Sequence, residues 1–460
     1  MSFQPNSPAA RDVAYVLHPY TNARAHEENG PMIITKGDGV YVYDDGGKQY
    51  LEAMAGLWCA SLGFKEDRLV KAATKQLETL PYYHTFAHKA HLPGIDLAEK
   101  LINLAPVPMS KVFFAGSGSE ANDTAMKLVW YYNNARGRHA KKKMISRIKG
   151  YHGVTIASAS LTGTPVNHPG FDLPIAGVKH TSNPHYYRFG QAGESEEDFA
   201  TRMAQDLENM ILEEGPETVA AFIAEPIMGA GGVIVPPKTY FAKIQAVLKK
   251  YDVLMIADEV ICGFGRTGEF WGSQSMGIKP DILTCAKALS SSYLPISAVM
   301  ISEDVYQPIA DQSRDLGVLG HGYTYTAHPV CAAVALETLK IYEEDNIVDH
   351  VKAVAPLFLE RLHALSDHEL VGESRGRGLM GAVEIVADKG TRASYDPKVG
   401  AGAKVGAAAT ENGLIVRAIG DSIAFTPPLI ITESQINELF DKMTKALDDA
   451  AGAIHKAAAA

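Results

Sequence analysis

Two acids, Asp258 and Glu259, close an apolar run at residues 253–257, and a lone lysine, Lys287, follows the next one, between Cys285-Ala286 and Ala288-Leu289. A buried strand does not end on carboxylates unless something accepts their charge. An amine in apolar company is poorly solvated, which lowers its pKa and makes it a nucleophile suited to Schiff-base chemistry. The two groups are far enough apart in sequence to sit on different strands and meet at one pocket. A carboxylate for a pyridinium nitrogen and an amine for an aldehyde are the two protein groups that pyridoxal 5'-phosphate requires. That pairing is the leading expectation.

The elements that must position these groups alternate. Strands are expected at Lys111–Ala115, Lys143–Ile148, Val219–Ala224, Val253–Ala257, Ile282–Ala286 and Ala298–Ile301, with helices at Glu66–Leu80, after Ser119 through Tyr132, at Glu197–Glu214 and at Tyr240–Tyr251. Such alternation predicts an α/β fold with a mainly parallel central sheet and helices on both faces. In open sheets of this kind, ligands sit beyond the carboxyl ends of the strands. Ser119, Glu225, Asp258 and Lys287 all fall just past such ends, which argues for one shared site.

Residues 39–52 (GVYVYDDGGKQYLE) read as a hairpin turning at Asp45-Gly46-Gly47. After about Pro329 the pattern changes to a helix (Val330–Glu343), two strands (Gly381–Val386 and Leu414–Ala418) and a last helix from Ser434. We therefore expect an N-terminal segment (1–60) that joins a smaller α+β domain (330–460), and a large cofactor-binding domain between them (61–329). The first dozen residues and the Ala-rich end are expected to be loose.

At 460 residues the chain is too long for one simple core. A formal charge of −10 argues against nucleic acid and anionic membranes as partners. No apolar run approaches the roughly 20 residues of a membrane span. Four scattered cysteines form no metal-type pairs, and the start of the chain lacks a basic-then-apolar leader, so a reduced, cytoplasmic setting is expected.

Other groups carry two readings each. Gly116-Ser117-Gly118-Ser119 opens a helix whose free amides suit a phosphate, or Ser119 is an ordinary N-cap. Tyr151 stacks on a planar cofactor, or packs at a core edge. Arg417 holds a substrate carboxylate, or makes an ion pair across the domain junction. Trp58 and Tyr20 wall a pocket, or fill the core. His84, His88 and His91 have helical spacing but no carboxylate on their face, so no metal is expected there. The run GFGRTG at residues 263–268 has dinucleotide-fingerprint spacing, yet no amphipathic helix follows it, so it reads as a glycine-rich loop.

Taken in order, AMAGLWCASLGF, FFAGSGSEANDTAMK, KGYHGVTIASASL, AFIAEPIMGAGGVIVPP, IADEVICGFGRTGEFWG, CAKALSSSYLPISAV, HGYTYTAHPVCAAVA and GLIVRAIGDSIAFTPPL span nearly the whole chain. This set resembles the class III, fold-type-I pyridoxal-phosphate aminotransferases, above all the amine–pyruvate (omega) transaminases. The resemblance implies a ping-pong transfer of an amino group from a primary amine or omega-amino acid to a keto acid such as pyruvate. It makes Lys287 similar to the Schiff-base lysine and Asp258 to the partner of the ring nitrogen. Val260 and Tyr151 resemble the residues on the two ring faces, and Gly118 and Ser119 the phosphate cup.

The resemblance further implies a homodimer, or a tetramer built from one, with Thr324 and Phe86 reaching the site from the second subunit. Trp58 and Tyr20 resemble pocket walls, Arg417 a mobile arginine, and Glu225 a glutamate that pairs with that arginine. Four positions depart from the family pattern: Ala288 and Ser292 stand for glycines in the lysine loop, Met228 for glutamine, and Ala87 for a bulky aromatic. The same equipment also serves epimerases and decarboxylases of this fold, or a non-catalytic cofactor-binding dimer. Family features near Trp58 and Arg417 favour transamination.

Overall fold

The computed structural model describes residues 3–459; residues 1, 2 and 460, at the two ends expected to be loose, lie outside the described residues. Its centre is a seven-stranded sheet ordered Lys111–Ala115, Ser297–Ile301, Ile282–Cys285, Leu254–Asp258, Val219–Ala224, Lys143–Arg147, Val178–Thr181. The last five strands run parallel to one another, while Ser297–Ile301 is antiparallel to both of its neighbours.

The central strands read as unbroken apolar runs because both faces are covered. Alternate residues serve different cores. Ala221, Ile223, Leu254 and Ile256 face the helix Gly118–Ala135, whereas Phe222, Ala224, Met255 and Ala257 face the helices Glu196–Glu214 and Tyr240–Lys250. With every residue from Val219 to Ala224 and from Leu254 to Asp258 buried, the first place a polar side chain can serve a ligand is the strand end. Glu225, Asp258 and Lys287 stand there.

Two four-stranded sheets flank this centre. One joins Ile34–Asp38, Tyr41–Asp44 and Gln49–Glu52 to Leu414–Ile415, so the N-terminal hairpin closes on a strand from near the other end of the chain. The other is ordered Val371–Arg377, Met380–Ile385, Ser422–Phe425, Arg417–Ile419. The single strand expected at Leu414–Ala418 is thus two pieces broken at Val416. Leu414–Ile415 runs parallel to Leu51–Glu52, and Arg417–Ile419 turns back on Ser422–Phe425 through Gly420, whose φ of 58° supplies the tight turn.

Both chain ends are more ordered than expected. Pro8–Tyr15 is a helix with Ser7 as its N-cap and Pro8 in its first turn, two start signals that composition hides. At the other end Glu433–Ala458 is one helix, held by buried Ala450 and Ile454 and favoured by alanine's helix propensity. His84 and His88 lie outside any helix, and His91 caps the helix Leu92–Leu104 through Nδ1, so the three do not share a helix face. Among the described residues, no helix is long and apolar enough to cross a membrane.

Candidate active site

A cavity of about 600 Å³ opens at the carboxyl ends of the parallel strands. Tyr20, Trp58, Gly118, Ser119, Tyr151, Glu225, Asp258, Val260, Lys287 and Arg417 all line it. Ten residues picked out along the sequence therefore converge on one space. Thr324 and Phe86 do not line it. Phe86 is exposed and packs over Gly322, and the Thr324 carbonyl accepts from the Tyr82 hydroxyl.

Asp258 ends its strand at 2% exposure, and each of its carboxylate oxygens has a partner. Oδ1 accepts from the Val260 amide at 3.1 Å; Oδ2 accepts from Asn122 Nδ2 and is bonded to His152 Nδ1, both at 2.8 Å. Asn122 is itself set by Thr284, which donates to its Oδ1, and Asn122 donates also to the His152 carbonyl. Sequence reading missed Asn122 and His152. Their signal was positional: Asn122 lies one turn after Gly118, and His152 follows Tyr151.

Lys287 begins a short 3-10 turn after the strand Ile282–Cys285 and has a φ of 47°, a region that a side-chain-bearing residue occupies only when its surroundings impose it. Its ammonium makes no hydrogen bond or ion pair within the described chain, and desolvation lowers its pKa below the ordinary lysine value; Cys59, Asp258 and Glu225 only partly offset this. The loop holds two more left-handed residues, Ser291 and Ser292, with φ of 47° and 58°. Ser292 thus takes, at a cost of about 1 kcal/mol, a conformation that glycine adopts freely. Ala288 sits buried inside the 3-10 turn, where its methyl is accommodated.

The helix Gly118–Ala135 points its N-terminus into the same cavity. Ser117, not Ser119, is the cap: its hydroxyl accepts from the Glu120 amide. The Gly118 and Ser119 amides at the first turn have no intrahelical acceptors, and the helix end favours an anion. The Ser119 hydroxyl accepts from the Val154 amide at 3.1 Å. Gly153, with a φ of 130°, makes this approach possible, because a Cβ there would stand 2.5 Å from that hydroxyl oxygen.

Glu225 is fully buried, yet it does not pair with Arg417. Its Oε1 accepts from the Tyr151 amide at 3.0 Å and its Oε2 from the Gly229 amide at 2.9 Å, so it fixes Tyr151 and the following turn instead. Burial raises its pKa above the usual carboxylate value. Arg417 has no carboxylate partner within the described chain, so the ion-pair reading fails and a guanidinium is left facing the cavity. Burial, with the Tyr20 phenol close by, pushes the Tyr151 phenol up. The Tyr20 hydroxyl in turn accepts from Asn167 Nδ2. Trp58 is 3% exposed and packs with Ile227, Val233 and Ile261, so it is wall and core at once. Met228 is buried and bridges Ile234, and Ala87 lies exposed with a φ of 50°.

These residues fit pyridoxal 5'-phosphate. An orphaned amine, a pre-set carboxylate, an aromatic and a branched apolar side chain (Tyr151 and Val260), and a helix end suited to a phosphate all border one space. This arrangement matches proteins of known class. Residues 22–447 match the Aminotransferase class-III family model. The chain belongs to the class-III aminotransferase family.

Among individual proteins, it is 54% identical to gamma aminobutyrate transaminase 3, chloroplastic, of Solanum lycopersicum over 94% of this chain and 84% of that one. The omega transaminase from Pseudomonas jessenii in complex with PMP superposes with a TM-score of 0.97 at 58% identity, covering 98% of this chain and 99% of that chain. A transaminase with L-Ala superposes with a TM-score of 0.90 at 57% identity, covering 92% and 99%.

Proposed function

We propose that this protein is a pyridoxal-phosphate-dependent transaminase that moves an amino group from a primary amine or omega-amino acid to a keto acid such as pyruvate. The observation that carries this is Lys287, an unpartnered amine sharing a cavity with an Asp258 carboxylate held from three sides. The L-Ala of one relative, the aminated form of pyruvate, and the gamma-aminobutyrate named for another supply the substrate classes.

Gly118 and Ser119 would hold the phosphate, Tyr151 and Val260 the ring faces, Asp258 the ring nitrogen and Lys287 the aldehyde carbon. When bound, the cofactor supplies an aldehyde that condenses with amines and a ring that withdraws electrons from the adjacent carbon. Asp258 keeps a proton on the ring nitrogen, and Asn122 and His152 hold it in place to do so. Lys287, deprotonated at lower pH than a free lysine, would take the proton from the substrate's amine-bearing carbon and deliver it across the shared nitrogen to the cofactor's former aldehyde carbon, a transfer typically worth about 10²–10⁴-fold. Arg417 receives the keto acid's carboxylate as a two-point contact. Trp58, Tyr20 and Tyr151 exclude water and bound the side group.

We infer a homodimer as the working unit, with Phe86 and Thr324 of each chain serving the other's cavity. In its support, both lie outside the cavity of their own chain, among exposed apolar residues that include Tyr82, Leu92, Ile95 and Tyr325. The test is alanine formation from pyruvate with a panel of diamines, omega-amino acids and arylalkyl amines, together with the absorbance change on adding amine alone. Absence of both responses across the panel overturns the reading, and sedimentation as a monomer with full activity overturns the dimer.

A further inference from the structure

Behind the cavity, one arginine ties its two walls together. Arg375 leaves the strand Val371–Arg377 and is only 7% exposed. Its Nε donates to the carbonyls of Gly232 and Val233, both at 3.1 Å, and its Nη2 donates to Gly232 again, to Glu384 Oε2 and to Ser422 Oγ at 3.0 Å. Nη1 donates to Glu373 Oε2 at 2.7 Å.

These contacts belong to two different walls. Gly232 and Val233 end the turn that starts at Gly229 and contains Ala230, which lines the cavity. Ser422 stands opposite Ile419 in the strand pair that carries Arg417, and Arg417 through Gly420 also line the cavity. Arg375 therefore sets the separation between the Ala230 turn and the Arg417 strand.

A second observation points the same way. Val233 has a φ of 51°, an unfavourable state for a β-branched residue that persists only where the surroundings impose it. The surroundings are Arg375 on its carbonyl and the cluster of Trp58, Ile261 and Ala424 around its side chain. A planar, five-donor guanidinium is the group that can grip both walls at once; a lysine ammonium lacks the fork.

We propose that Arg375 is a positioning residue that fixes Arg417 against the Ala230 turn and so sets the preference of the site for carboxylate-bearing partners over uncharged amines. This rests on the transaminase reading above, and the wild-type enzyme separates the two. If wild type shows no amino transfer, the reading itself falls; if it does, the variants judge Arg375.

The variants are Arg375→Met, which removes the grip, and Ser422→Ala, which keeps Arg375 but cuts its link to the Arg417 strand along with the serine's own bond to Glu384. With Arg375→Met, kcat/KM for pyruvate is expected to fall about tenfold more than for an arylalkyl amine, and with Ser422→Ala about threefold more. Pyruvate binding, followed by tryptophan fluorescence with Trp58 as the cavity reporter, weakens in the same order. A merely structural role would lower Tm and both substrates' rates together and leave their ratio alone. An unchanged ratio in Ser422→Ala overturns the proposal whatever Arg375→Met does, including its failure to fold.

Discussion

His152 Nδ1 lies 2.8 Å from Asp258 Oδ2, and the same oxygen takes a second bond from Asn122. Because a carboxylate only accepts, the proton between them sits on the imidazole, which fixes the tautomer. His152 Nε2 is buried with no partner, so the ring's firm polar attachment is to Asp258. The acid proposed to serve the ring nitrogen is thus oriented by two neighbours that border the same cavity.

Replacing His152 by Leu removes one of the bonds that hold a charged acceptor, an interaction worth about 1.5–3 kcal/mol. We expect the amine half-reaction to slow by about 10- to 100-fold while cofactor binding persists. Single-turnover absorbance kinetics check this, and Asn122→Ala is expected to behave in the same way.

Lys287→Ala is expected to abolish turnover and the visible absorbance of the lysine-bound cofactor together. In wild type, desolvation depresses the lysine's pKa, so the unprotonated amine is available at lower pH than in free lysine. The single-turnover rate should therefore rise with pH and reach its plateau below about pH 10.4, the value for free lysine. A plateau only above that value would contradict the assignment.

Arg417→Ala should harm keto-acid turnover far more than turnover of an uncharged arylalkyl amine. Loss of a bidentate charged contact predicts a penalty of about 10- to 100-fold on kcat/KM for pyruvate. Steady-state comparison of the two substrates decides it, with equal losses counting against the role.

Acid stability should depend on Glu384. Burial alone would raise its pKa, but Arg375, Ser422, His185 and Arg188 bring it down to about 2. The folded carboxyl then binds its proton more weakly than the unfolded one, at about 4.3. Its contribution is complete above about pH 4.3 and is lost as pH falls toward 2. Glu384→Gln should lower stability at neutral pH and flatten the loss between those limits, measured as Tm against pH.

Much of the site was legible because its chemistry sits at strand ends. Asp258, Glu225 and Lys287 each follow a run of buried residues, and a polar side chain there must face a cavity or be paired. What stayed hidden depends on pairing across the fold. The partners of Glu225 are backbone amides, which no side-chain pattern advertises. His152 and Asn122 look like ordinary polar residues until the helix Gly118–Ala135 is laid beside the strand Leu254–Asp258. The break at Val416 was likewise invisible, since Leu414–Ile415 and Arg417–Ile419 have one continuous apolar pattern but hydrogen-bond to different neighbours.

The parallel pairing of Leu51–Glu52 with Leu414–Ile415 has a bearing on biosynthesis. Trp58 follows the first of these strands and Arg417 the second, so two pocket-lining residues are joined through a contact whose halves lie far apart in sequence. A nascent chain can assemble the central sheet and still lack a closed pocket. A polypeptide that stops before the mid-410s lacks both the partner strand of Leu51–Glu52 and the stretch from Arg417 to Gly420 that lines the pocket.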